Sequence, residues 1–79
     1  MAARAYILIE TSVGKTRDVV TALGKVKGIK EANAVTGPYD VIAVVEGQDL
    51  TAVGNLVTNE IHPVTGIART VTCLAVDFT

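Results

Sequence analysis

Val26-Lys27-Gly28-Ile29 returns later in the chain as Val64-Thr65-Gly66-Ile67, at an offset of 66 − 28 = 38 residues. Upstream, Tyr6-Ile7-Leu8-Ile9-Glu10 is echoed by Ile42-Ala43-Val44-Val45-Glu46, at an offset of 46 − 10 = 36. In each half a short β-type run ends in glutamate and a helical stretch follows. A V-x-G-I turn then leads into a second β-type run. No third copy exists to stack on these two, so the repeat builds one small domain rather than an array.

Working outward, the first strand is expected at about 4–11, with Ala5, Ile7 and Ile9 on one face and Tyr6, Leu8 and Glu10 on the other. Ser12 is the expected N-cap of a helix at about 14–26, where Thr16, Val19, Leu23 and Val26 recur at three- and four-residue steps. Gly28 is available for a left-handed cap. The second strand, about 30–36, is weak in composition and suits a sheet edge. Gly37-Pro38-Tyr39-Asp40 is a turn. The third strand, about 41–46, is apolar on both faces, as a central strand is. Asp49 caps a second helix carrying the stripe Leu50, Val53, Val57 and Ile61, which Pro63 stops near His62. The fourth strand is expected at about 67–78. Thr70, Thr72, Leu74, Val76 and Phe78 share one face there, and Val71, Cys73, Ala75 and Asp77 the other.

This is β-α-β written twice: an α+β domain of the ferredoxin-like βαββαβ type, spanning residues 1–79, with an antiparallel four-stranded sheet and two helices on one face. A lone copy of this size removes only about 60–65% of its unfolded surface from water. Yet 49% of residues are hydrophobic and 19% charged. Two helices cover one sheet face, and the other face of strands one, three and four is still apolar. A dimer with sheets face to face is the expected outlet.

The formal net charge is −1, with seven scattered basic residues, so there is no electrostatic case for nucleic acid. Lys25, Lys27 and Lys30 surround the expected end of the first helix, where cations complement its dipole. One cysteine, Cys73, excludes an internal disulfide and a CxxC site. No signal-peptide pattern and no run of membrane-spanning length are visible, so a cytoplasmic location without membrane attachment is expected.

Catalytic signals are poor. The lone His62 sits at a helix end and reads as a cap or surface residue; Cys73 reads as a small strand hydrophobe. Glu10 and Glu46 are strand-end charges or an interface pair, with no matched acid–base character. Gly14-Lys15-Thr16 lacks the earlier glycine of a phosphate loop. No cluster has metal-ligand spacing, and neither metal nor cofactor is expected. More distinctive is Thr36-Gly37-Pro38-Tyr39-Asp40, with backbone groups and a carboxylate suited to a zwitterion, alongside the hydroxyls of Thr70 and Thr72. An ordinary turn and β-branched strand residues explain the same positions.

Ala34-Val35-Thr36-Gly37-Pro38-Tyr39-Asp40-Val41, the V-x-G-I repeat and Ala68-Arg69-Thr70-Val71-Thr72 together resemble the amino-acid-sensing domain of the Lrp/AsnC family of transcriptional regulators. The resemblance covers residues 4–77, and the family's usual N-terminal DNA-binding helices are not seen, so the chain looks like a stand-alone version of the domain. It implies a dimer by sheet stacking, rings of dimers, and amino-acid effectors held in clefts between dimers. Gly37, Tyr39, Asp40, Thr70 and Thr72 would edge that cleft. It also implies partnership with full-length relatives through mixed assembly. The other readings are a small dimeric ferredoxin-like oxygenase and a purely structural assembly module. The oxygenase would need an acid–base residue in a pocket that aliphatic side chains fill here.

Overall fold

The computed structural model describes residues 2–76. Its elements run β1 (Ala3–Thr11), α1 (Thr16–Leu23), β2 (Ile29–Ala34), β3 (Val41–Gly47), α2 (Leu50–Leu56, continued by a π-helical turn over Val57–Ile61) and β4 (Ile67–Leu74). The strands form one antiparallel sheet in the order β2-β3-β1-β4. This is the ferredoxin-like βαββαβ arrangement, with β2 at an edge as its composition led one to expect.

Alternation decides which side chains are sealed. Ala5, Ile7 and Ile9 of β1 lie opposite Val45, Ala43 and Val41 of β3, and all six have no exposed surface. Val19 and Leu23 of α1 and Val53, Val57 and Ile61 of the second helical segment close over them. Each such aliphatic side chain contributes about 1.5–3 kcal/mol by leaving water. Thr70, Thr72 and Leu74 of β4 pair with Ile9, Ile7 and Ala5, which puts them on this same helix-side face.

The opposite face carries Tyr6 and Leu8 of β1, Ile42 and Val44 of β3, and Val71 and Cys73 of β4, joined row by row by the strand register. Leu8, Ile42, Val44 and Val71 are half-buried, and Tyr6 is 37% exposed. Ion pairs border the band at both ends. Arg4 Nε lies 3.3 Å from Glu46 Oε2, and Arg69 Nε lies 3.7 Å from Glu10 Oε2. Both are directly opposed cross-strand pairs. The two glutamates of the sequence repeat thus serve equivalent ends of the sheet.

Several local expectations change. The N-cap of α1 is Lys15, not Ser12, and it makes no side-chain capping bond. Ser12 instead donates its backbone N–H to Gly66 O at 2.8 Å, which ties the loop to the V-x-G-I turn of the other half. The helix ends at Leu23, earlier than the apolar stripe implied; past it Lys25 N–H donates to Ala22 O at 3.2 Å and Val26 N–H to Leu23 O at 3.1 Å, the i→i−3 bonds of a tighter turn. Lys25, Lys27 and Lys30 therefore lie beyond the last helical turn, which holds no basic residue. Strand β2 occupies 29–34 rather than 30–36. Strand β4 closes at Leu74, short of the expected 78, although Ala75 N–H still reaches Arg4 O at 2.9 Å; Asp77 and Phe78 lie outside the described residues. Asp49 does cap α2, its Oδ1 accepting from Ala52 N–H at 2.8 Å.

The paired V-x-G-I glycines are explained by reciprocal packing. Gly28 has φ +100° and Gly66 φ +101°. A methyl at Gly28 would collide with the Leu56 side chain, and one at Gly66 would lie 2.9 Å from Lys15 Cβ. Each half seats its turn under the helix of the other.

Candidate functional site

The turn between β2 and β3 is fixed by its last residue. Asp40 donates its backbone N–H to Ile9 O, and its carbonyl accepts from Val35 N–H, each at 2.9 Å. Its carboxylate Oδ2 accepts the Thr11 N–H at 2.8 Å. This side-chain bond reaches across 29 residues and pins the turn to the end of β1. A register shift between β1 and β4 falls at Glu10/Thr11, where the Thr11 N–H serves Asp40. Among the described residues, Oδ1 of Asp40 makes no hydrogen bond or ion pair. Gly37, at φ +129°, has open space around it, and Tyr39 is half-buried. The apex of the turn is accessible while its base is clamped.

Thr70 and Thr72 lie elsewhere. Thr70 Oγ1 is 3.3 Å from His62 Nε2, at the end of the second helical segment. That segment finishes in a π-helical turn, with His62 N–H donating to Val57 O at 2.9 Å. Such turns often mark functional positions. The sequence carried no sign of this His62–Thr70 contact, because the single extra residue of a π turn leaves no periodic signature. Thr72 lines an open groove of about 340 Å³ between α2 and β4, with Val53, Gly54, Val57 and Thr58 along the helix and Leu50 and Leu74 at one end. A second cavity of about 390 Å³ continues past Leu50 and Leu74 toward Arg4 and Val76. Neither cavity includes the Gly37–Asp40 turn.

The five residues singled out in the sequence do not converge within one chain. Asp40 adjoins Ile9 on the β3 side and Thr70 pairs with Ile9 on the β4 side, roughly two strand spacings or 10 Å apart. Thr72 is two residues further along β4. Among the described residues no group of His, Cys, Asp and Glu has the geometry of a metal site, and no helix is long and apolar enough to cross a membrane.

Comparison with known proteins gives this geometry its context. The sequence model of the Lrp/AsnC ligand binding domain matches residues 4–78. An uncharacterised HTH-type transcriptional regulator of Pyrococcus abyssi is 29% identical over 76 residues, which are 92% of this chain and 51% of that protein. The chain thus spans about half the length of the curated relative it matches. A crystal structure of a Thermus thermophilus protein superposes with a TM-score of 0.90 at 30% identity, covering 98% of this chain and 96% of that one. The fold is also shared with a Neisseria meningitidis transcriptional regulator solved as its L-methionine complex. The TM-score there is 0.84 at 16% identity, over 95% of this chain and 50% of that one.

Proposed function

The chain belongs to the Lrp/AsnC ligand-binding domain family, a family of transcriptional regulators rather than enzymes, and from that membership we propose that it is a regulatory module that binds a small amino acid and acts as an assembly of copies. The oxygenase reading falls with the family match. Residues 1–79 act as a single effector-binding domain, in the cytoplasm, and the partners are copies of the chain and full-length DNA-binding relatives.

The observation that carries the ligand reading is the division of the site. A clamped turn with an accessible apex, Gly37–Asp40, and a threonine-edged groove at Thr70 and Thr72 lie on different parts of one chain. Bringing copies together makes one cleft of them. The free Oδ1 of Asp40 meets the ammonium group, and a threonine hydroxyl with backbone N–H groups near Gly37 meets the carboxylate. Pro38 offers no N–H, which narrows the set of ligands. The methionine held by the Neisseria regulator is of the same chemical class.

The assembly reading is supported by the second sheet face. Its band of Tyr6, Leu8, Ile42, Val44 and Val71, bordered by charges, has the apolar centre and polar rim of a protein interface. Stacking two such faces gives the dimer, and dimers form the ring.

Calorimetry across the twenty amino acids tests the ligand. Binding at about micromolar to millimolar affinity is expected for a ligand of so few atoms. Asp40→Asn is the informative variant, because an amide oxygen still accepts from Thr11 N–H while the charge is gone. It should weaken binding by about 1.5–3 kcal/mol. If no amino acid binds at millimolar concentration, or if Asp40→Asn binds as the parent does, this site is wrong. The chain should also leave duplex DNA unshifted in a mobility assay, given its net charge of −1.

A further inference from the structure

Gly54 is the glycine of this chain without a backbone explanation. Gly14, Gly28, Gly37 and Gly66 have positive φ, and a methyl on Gly47 would crowd Ala52 and Val53. Gly24 stands at the end of α1, where a glycine costs little. Gly54 lies inside α2, has an ordinary φ, and a methyl added to it would meet nothing within 4 Å. A helix-interior glycine costs about 0.5–1 kcal/mol relative to alanine. At this position the missing side chain leaves room in the groove between α2 and β4.

The lining of that groove is uncharged. Leu50, Val53, Val57 and Leu74 supply aliphatic surface, and Thr58 and Thr72 supply hydroxyls at the rim. Leu50 and Leu74 are 61% and 49% exposed, so the chain does not fill the space with its own side chains. At about 340 Å³ the groove falls at the low end of the range of roughly 300–1,000 Å³ for small-molecule sites. An ammonium, guanidinium or carboxylate at the tip of a ligand side chain would enter without a partner for its charge, which is unfavourable.

We propose that the effector is an amino acid with an apolar side chain, that this side chain lies in the α2–β4 groove beside Thr72, and that Gly54 sets its permitted size. The inference rests on the amino-acid reading above and specifies which members of that class bind. The backbone end of the ligand stays at the rim, within reach of the Thr72 hydroxyl and of the Gly37–Asp40 turn of a second copy.

The experiment titrates leucine, methionine, alanine, lysine and glutamate into the assembled parent, Gly54→Ala and Gly54→Leu by calorimetry. Sedimentation and helix content are recorded on the same samples. Leucine and methionine should bind the parent at least tenfold more tightly than lysine or glutamate. Gly54→Leu fills the groove and should lose at least tenfold in leucine affinity with its assembly and helix content intact, since leucine favours a helix more than glycine does. Gly54→Ala, the milder change, should penalise leucine and methionine more than alanine, and it decides the matter should Gly54→Leu fail to assemble. If lysine or glutamate binds as tightly as leucine, the inference is overturned and the amino-acid reading stands. Leucine affinity unchanged from the parent in both variants overturns it in the same way. A Gly54→Leu that changes sedimentation but not affinity also overturns it, assigning the groove to a contact between copies. If no amino acid binds the parent, the amino-acid reading and this inference fall together.

Discussion

Ile7 and Ile9 are sealed beneath two helices, while Tyr6 and Leu8, each one residue along the same strand, remain partly open. The same holds on β3, where Val41, Ala43 and Val45 are buried and Ile42 and Val44 are not fully so. Both faces are apolar by composition, but the chain owns helices for only one. The sealed face answers the requirements of folding. The open one carries apolar surface that folding does not need, bounded by Arg4–Glu46 and Glu10–Arg69. The contrast separates residues that the fold itself requires from residues that serve the proposed assembly.

The largest effect belongs to the sealed face. Ile7→Ala should cost about 2–5 kcal/mol in chemical denaturation, from lost burial and the cavity left behind. A loss under about 1 kcal/mol would abolish the distinction between the faces. On the open face, Val44→Asp should leave the circular dichroism of the fold in place and release a monomer of 8.2 kDa in sedimentation, since a charge facing an apolar partner surface costs several kcal/mol of association. Sedimentation unchanged from the parent would remove this face as an interface, as would a stable parent monomer at micromolar concentration. Gly28→Ala sharpens the same comparison at the rim of the sealed side. Positive φ and the Leu56 contact together should destabilise the fold by about 1–3 kcal/mol without altering assembly stoichiometry. Arg69→Ala should be the mildest. Its partner Glu10 is 40% exposed, and the fold should lose no more than about 0.5 kcal/mol by the same denaturation measurement.

Much of this architecture was legible because period-two alternation on β1 and β3 names both faces at once, and because Asp49 and Pro63 mark the ends of the second helical segment. The V-x-G-I glycines announced special backbone positions, but not that each lies under the opposite helix, which is a tertiary fact. Ser12 misled because a serine before an apolar stripe looks like a cap wherever it stands; here the extra loop residues Val13 and Gly14 push the helix start past it. The candidate site could be read from the sequence only as residue types and not as a place. Asp40 and Thr72 look like one constellation along the sequence, whereas β1 lies between them in the sheet, bonded to Asp40 through Ile9 on one side and paired with β4 on the other. Gly54 went unremarked, since a glycine inside a helical pattern acquires meaning only when the space around it is known.

The strand order has one more consequence. The three ladders of the sheet pair β2 with β3, β3 with β1 and β1 with β4. Each joins a strand of the first β-α-β half to a strand of the second, and β1 and β2 never touch as neighbours, nor do β3 and β4. Neither half therefore owns a single rung of sheet. A polypeptide of half this length would have no backbone partner for either of its strands until it met another copy. The doubling visible in the sequence is, in physical terms, a dimer whose two members have been joined end to end. Fragments separated at the Gly37–Pro38 turn should be unstructured alone and regain the sheet when mixed.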